Sequence, residues 1–250
     1  RAIRFELVTV LEEIGGQFPD IRVVILTGAG RGFCAGADVG EQADGLPQEL
    51  ERTIESVRRD HEERQKDPAT RSPAPLVREI PQPVIAAVNG VAAGMGLSIA
   101  LACDIRIASE QASMGSGTMR FALLPDEGGH YLLVQHIGLA QTIDFVMRKK
   151  IVSALQAKDL GLVHEVVRDE DLEMETAKLA KQMAEGPQVA MRLLKRTVYN
   201  AAEMNWLQSL DDIAGKTAVN DHHPDAEEGI ASFREKRAPK FNKWLAEKFS

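Results

Sequence analysis

Two glycine-rich stretches are the part of the sequence best suited to chemistry, and they can act through the backbone alone. They read TGAGRGFCAGAD (residues 27–38) and NGVAAGMG (residues 89–96). Each follows an apolar, β-branched run that is typical of a buried strand. Because glycine permits close approach of the backbone to a ligand, N–H groups from both loops can point at one oxygen. Donors in such an arrangement stabilise an enolate or a tetrahedral oxyanion by about 3 to 4 kcal/mol each.

The first loop also resembles the glycine turn of short-chain dehydrogenases, which holds a pyrophosphate at a helix N-terminus. Three features disfavour this interpretation. Cys34 stands where the last glycine is needed, and no apolar helix follows. Those enzymes also need a tyrosine with a lysine four residues later, whose charge lowers the pKa of the phenol. Here Tyr131 and Tyr199 are followed at that spacing by Gln135 and Glu203, so the oxyanion interpretation is preferred.

Strands and helices that alternate along the first half of the chain must position these loops. This alternation predicts a layered α/β fold whose loops converge, followed by a helical second half. The predicted strands span residues 22–27, 83–88, 103–108 and 162–167. The predicted helices span residues 1–15, 97–102, 153–160, 170–185, 187–201 and 203–219. Between the two loops, residues 48–67 predict a solvated helix and residues 70–83 a mobile proline-rich loop, with a lid over a site as the alternative.

The last segment, residues 224–249, predicts an amphipathic pair of helices interrupted at Pro239. Its apolar face is larger than a terminal tail needs, and it has two interpretations: packing on the core of its own chain, or covering a neighbouring subunit. The apolar residues are Ile230, Phe233, Phe241, Trp244, Leu245 and Phe249.

The net charge, the apolar runs and the cysteines of the chain limit the classes of function that it can have. The 250 residues carry a net charge of -7, which gives no overall basic surface and argues against nucleic acid or anionic membrane as partners. No apolar run approaches the ~20 residues that span a bilayer. The only two cysteines, Cys34 and Cys103, lack the spacing of a disulfide framework or a zinc site, so we expect a cytoplasmic protein. Because helix-like sequence begins at Arg1, we expect that an earlier segment is missing.

Three motifs, in this order and spacing, resemble the enoyl-CoA hydratase/isomerase (crotonase) family. They are FCAGAD (33–38), IPQPVIAAVNGVAAGMGLSIALACDIRIAS (80–109) and LLPDEGG (123–129). The resemblance covers essentially the whole chain. It implies an α/β spiral of ββα units over residues 1–185, without the family's first strands. It also implies a helical C-terminal region, residues 186–250, that mediates assembly into a homotrimer or a dimer of trimers.

The resemblance also implies a substrate and a binding site. The family acts on acyl-CoA thioesters, so coenzyme A is expected as part of the substrate, with no permanently bound cofactor. The oxyanion-hole N–H groups fall on Ala37 and Met95. The region that binds the CoA adenine and phosphates falls around Arg31, Ala35 and Gly36, where Arg31 meets a phosphate.

The sequence departs from the hydratase pattern at both catalytic glutamates, whose positions are taken by Ser98 and Thr118. A hydroxyl without an activating group cannot replace a carboxylate as a general base. Several isomerases of the family instead place their acid/base carboxylate directly after the proline of the third motif. This makes Asp126 the first candidate and Glu127 the second. Only one of two adjacent carboxylates should face the thioester, and a simple turn aspartate is the alternative.

The sequence therefore predicts an enzyme that acts through a thioester enolate, most plausibly by moving a double bond. The alternatives are a hydratase with a non-standard residue set, a C–C or thioester hydrolase, and a non-catalytic acyl-CoA-binding subunit. Leu123, Leu124 and Met95 are expected to cover Asp126 and to raise its pKa. Weaker candidates for site residues are His130, His61, Glu62 and Glu63. Asp104 and His164 are expected to be structural, and His222-His223 lacks a third metal ligand.

Overall fold

The structure is a computed structural model that describes residues 2–36, 58–59, 62–63, 66, 71–125 and 128–248. Four residues singled out above, Ala37, His61, Asp126 and Glu127, lie outside the described residues, as does most of the charged segment 48–67.

Helices and short strands alternate through the first half, and the second half is mostly helical with two short strands. The strands are β1 (Val24–Thr27), β2 (Gly32–Cys34), β3 (Val84–Val88), β4 (Val91–Ala93), β5 (Ile105–Ser109), β6 (Ser113–Gly115), β7 (Ile151–Ser153) and β8 (Glu165–Val167). The helices are α1 (Ala2–Gly16), α2 (Pro73–Glu79), α3 (Met95–Ala102), α4 (Gly129–Met147), α5 (Ala154–Leu160), α6 (Leu172–Glu185), α7 (Gln188–Ala201), α8 (Trp206–Asp221), α9 (Pro224–Arg234) and α10 (Lys243–Lys248). Helix α4 is interrupted at Gly138, whose φ of 74° is not helical.

The strands form two four-stranded sheets. The first has the order β1-β3-β5-β8 and is parallel throughout. The second has the order β2-β4-β6-β7 and is parallel except for the β6–β7 pair. Each pair β1–β2, β3–β4 and β5–β6 follows in sequence and divides between the sheets. Successive turns of the chain therefore add one strand to each sheet, as the predicted spiral requires.

Burial explains why the central elements form where the sequence predicts them. All five residues of β3 are buried, as is usual in a parallel sheet covered on both faces. In α3, every residue from 96 to 102 is buried. A helix that is apolar all round belongs in the interior, and α3 packs against α2, α4 and the strands β2 and β4 of the second sheet.

The prediction of a mobile loop over residues 70–83 is wrong, because residues 73–79 form α2. Pro73 occupies the first helical turn, where its missing N–H leaves no hydrogen bond unmade. Leu76 and Val77 are buried in the core. Before the helix, Arg71 pairs with Glu12 at 3.1 Å and Glu79 at 3.0 Å. Burial of the apolar face thus outweighs the loop character of the prolines.

A polar cluster attaches the helical second half to the first sheet. The Nζ of Lys195, on α7, lies 2.9 Å from Asp104 and donates to the carbonyls of Val77 and Gln82. The Tyr199 hydroxyl donates to the other Asp104 oxygen at 2.7 Å. Asp104 also accepts the Val84 N–H at 2.7 Å, which agrees with its predicted structural role. Burial lowers the pKa of Lys195 and raises that of Tyr199.

The C-terminal segment packs in part on its own chain, which is one of the two interpretations offered by its sequence. Leu245 is buried, and Trp244 packs against Phe18 with ring centroids 5.9 Å apart. In contrast, Ile230 and Phe233 are 57% and 85% exposed. In the part of the chain that the structure describes, no helix has the length and apolar character needed to cross a membrane.

Candidate active site

The two glycine loops meet at one edge of the second sheet. β2 and β4 are parallel neighbours, with Cys34 in register with Ala92, so both strands deliver their loops at the same end. A methyl group added at Gly36 would lie 3.0 Å from the Ala93 carbonyl oxygen, and one added at Gly94 would lie 3.8 Å from the Gly36 Cα. Their φ values of 100° and 53° also favour glycine. The predicted convergence of the loops is therefore observed.

Gly96 brings β2 and α3 into direct backbone contact. A Cβ at this position would lie 1.9 Å from the carbonyl oxygen of Cys34. No side-chain rotation can relieve an overlap with backbone, so the first loop and the start of α3 can hold this spacing only with glycine here.

Met95 begins α3 at the point where the loops meet. The Gly94 N–H is already used, since it donates to the Gly115 carbonyl at 3.2 Å. The N–H groups of a first helical turn have no intrahelical acceptor, so the N–H of Met95 is suited to a ligand oxygen. Ala37, the other predicted donor, follows Gly36 directly and lies outside the described residues.

Asn89 fixes the first loop, and sequence reasoning did not single it out. Its side-chain oxygen accepts the Gly28 N–H at 3.1 Å, and its amide donates to the carbonyls of Gly28 and Gly30. The Asn-Gly pair at 89–90, a common turn signal, is the feature that could have revealed it. Arg31 and Ala35, the predicted CoA contacts, are both exposed.

Gly129, which follows Asp126 and Glu127 in the sequence, lies against the first turns of α3. A methyl group added at Gly129 would lie 2.6 Å from the Ser98 Oγ and 3.0 Å from the Cβ of Pro125. One flank of the carboxylate segment therefore packs beside the helix that Met95 begins. Of the three residues expected to cover Asp126, Leu124 is 71% exposed, and Leu123 and Met95 are half-buried.

Ser98 and Thr118, which replace the family's two glutamates, lie on either side of this junction. Ser98 is buried, and its hydroxyl donates to the Gly94 carbonyl at 3.4 Å. The Thr118 methyl group lies 3.9 Å from the position of a Cβ on Gly94. Its hydroxyl oxygen is buried and makes no hydrogen bond. Both positions carry hydroxyls next to Gly94 of the second glycine loop, and neither carries a carboxylate.

The remaining candidate histidines and the acidic residue Glu63 differ in burial and in hydrogen-bond partners. The Nε2 of His130 is buried without a partner. His136 Nε2 lies 2.9 Å from the Leu101 carbonyl, and burial lowers its pKa to about 4. His164 accepts the Arg106 N–H, consistent with its predicted structural role. Glu63 pairs with Lys66 on an exposed surface.

No metal site appears in the described part of the chain, where no three His, Cys, Asp or Glu side chains are placed to hold an ion. His223 instead caps α9 by accepting the Asp225 N–H. Cys34 and Cys103 are free thiols, and burial raises the pKa of Cys103 to about 12.

Two four-stranded sheets, a helical C-terminal region and paired glycine loops that meet beside one helix define the α/β architecture of this chain. The family model for enoyl-CoA hydratase/isomerase matches residues 1–244. The chain belongs to this family and is an enzyme of its type, with the crotonase fold.

Proteins similar to this chain include an isomerase and hydratases. The 1,2-epoxyphenylacetyl-CoA isomerase of Escherichia coli K12 is 36% identical, over 88% of this chain and 81% of its own. The crystal structure of an enoyl-CoA hydratase from Bacillus anthracis superposes with a TM-score of 0.82 at 35% identity, over 96% of this chain and 88% of its own. An enoyl-CoA hydratase from Polaromonas sp. JS666 has a TM-score of 0.80 at 30% identity, over 94% and 88%.

Proposed function

We propose that this protein is an enoyl-CoA isomerase that moves a double bond along the acyl chain of a CoA thioester. The observation that carries the proposal is the meeting of both glycine loops at the start of α3, with Gly129 packed against Ser98 of the same helix. Asp126 and Glu127 lie two or three residues before Gly129 in the sequence, and both hydratase glutamates are replaced by hydroxyl residues.

The proposed mechanism needs one carboxylate and no bound cofactor. The thioester oxygen of a 3-enoyl-CoA accepts hydrogen bonds from the N–H groups of Ala37 and Met95. Asp126 removes a proton from C2, and the electron pair moves into the thioester to give a dienolate whose oxygen is stabilised by these donors. The protonated Asp126 then returns the proton to C4. The double bond moves from C3–C4 to C2–C3, and no atom is gained or lost.

The negatively charged phosphates of CoA are proposed to bind at the exposed first glycine loop. Arg31 is proposed to bind a CoA phosphate, with Ala35 and Gly36 lining the path of the nucleotide part. The free thiols of Cys34 and Cys103 support the proposed cytoplasmic location, since reducing compartments keep cysteines unpaired.

A substrate panel tests the proposed reaction. The protein is incubated separately with 3-enoyl-, 2-enoyl- and 3-hydroxyacyl-CoA, and the products are followed by absorbance and mass. Interconversion of the two enoyl-CoAs is expected. Rapid addition of water to 2-enoyl-CoA without isomer formation would establish a hydratase, and release of free CoA would establish a hydrolase. Thioester binding without turnover of any substrate would identify a binding subunit.

We also propose that the chain assembles as a homotrimer or a dimer of trimers through its second half. The support is a set of exposed apolar side chains on α7, α8 and α9 and in the turn between α7 and α8, of a kind that marks an interface. These are Leu194, Val198, Met204, Trp206, Leu207, Leu210, Ile213, Val219, Ile230 and Phe233. Sedimentation at micromolar concentration is expected to give three or six times the mass of the chain. A stable monomer would refute the assembly.

A further inference from the structure

We propose that Thr118 determines specificity by binding an oxygen substituent on the acyl chain close to the thioester. The inference rests on the proposed acyl-CoA site and goes further by naming a substrate class: acyl groups that carry a hydroxyl or carbonyl oxygen, in preference to unsubstituted chains. It begins from the position of the side chain, which lies beside Gly94 and hence one residue from the N–H of Met95.

The hydroxyl of Thr118 is chemically unsatisfied. Its oxygen is buried and has no hydrogen-bond partner, and the same holds for the Nε2 of His130. In the sequence, these two residues lie on opposite sides of residues 126–127. Buried polar atoms are normally hydrogen-bonded, and an exception in a native structure calls for a functional explanation.

Thr118 can present its hydroxyl to a ligand without losing a bond. The methyl group faces Gly94 at the junction of the loops, and rotation of about 120° about the Cα–Cβ bond moves the hydroxyl into the methyl position and the methyl into the hydrogen position. The hydroxyl oxygen gives up no hydrogen bond in that rotation. Once rotated, it can donate to a carbonyl or hydroxyl oxygen or accept from a hydroxyl. An unsubstituted acyl chain has neither an oxygen to accept this hydrogen bond nor a hydroxyl to donate one.

Thr118→Val is the discriminating variant, because valine keeps the shape of threonine and removes the hydroxyl. Binding of 3-hydroxybutyryl-CoA and butyryl-CoA is measured by calorimetry, and the ligand is recovered and its mass checked. The wild type is expected to bind the hydroxylated ligand about 5-fold more tightly, the scale of one hydrogen bond. In Thr118→Val the two affinities should become equal, through loss of binding to the hydroxylated ligand only. Thr118→Ser should keep the preference.

The outcomes separate this inference from the function on which it rests. Unchanged binding of butyryl-CoA by Thr118→Val shows that the variant is folded and that the thioester site is intact. A wild type that binds both ligands equally, or a valine variant that keeps the preference, would overturn the role of Thr118 alone. A wild type that binds neither ligand would refute the acyl-CoA site itself.

Discussion

Asp126→Asn is expected to lower the turnover of 3-enoyl-CoA by about 10²- to 10⁴-fold, the usual contribution of a general acid/base. Asparagine keeps the size of the side chain but cannot carry the proton from C2 to C4. Binding of the thioester should change little, because the oxyanion donors are backbone N–H groups. The measurement is steady-state kinetics of enoyl-CoA interconversion, with calorimetric binding of an acyl-CoA alongside.

Glu127→Gln is the matched control for this experiment. It removes a neighbouring carboxylate of similar chemistry, whose side chain should point away from the substrate. Its turnover should remain within a few-fold of wild type. If Glu127→Gln abolishes turnover while Asp126→Asn is active, the two roles are exchanged. If both variants are fully active, the acid/base lies elsewhere, with His130 as the next candidate.

The second large effect is expected for Gly96→Ala. Its Cβ would lie 1.9 Å from the Cys34 carbonyl oxygen, so β2 and α3 must separate. Overpacking of this kind typically costs about 1–3 kcal/mol and sometimes more. The same displacement would misplace an oxyanion donor, for which loss of about 10²- to 10³-fold in turnover is expected. Thermal unfolding and kinetics measure the two effects.

Gly117→Ala provides the control for Gly96→Ala. Gly117 lies near the same loops, but a Cβ there meets no atom within 4 Å. Its φ of -76° and ψ of -13° suit alanine, so this variant should be as stable as wild type or slightly more stable. Equal stability and activity of the two alanine variants would mean that the contact between Gly96 and Cys34 does not set the spacing of the loops.

The parts of the fold that the sequence predicted are those with a strong local pattern. β3 and α3 lie within continuous apolar runs and differ from the prediction by one or two residues at their ends. The short strands β2 and β4 were missed because each has three residues and lies within a glycine-rich loop. The sheet pairing that creates them is a tertiary contact, which local patterning does not encode.

The long-range polar contacts also could not be predicted from the sequence. Asp104 was expected to be structural, yet its partners Lys195 and Tyr199 lie about 90 residues later, and no local spacing connects them. In the site, the motifs located Gly36, Gly94 and Met95, because glycine loops after buried strands carry a recognisable pattern. The unpartnered hydroxyl of Thr118 emerged only from the packing of that loop.

The most direct test of the central claim is the fate of the C2 hydrogen during turnover. The wild-type protein is given 3-enoyl-CoA carrying deuterium at C2, and the product is analysed by mass spectrometry and NMR. Transfer by a single carboxylate predicts 2-enoyl-CoA with part of the removed deuterium at C4. A product that has gained one water molecule, with no 2-enoyl-CoA formed at any time, would contradict isomerisation through Asp126.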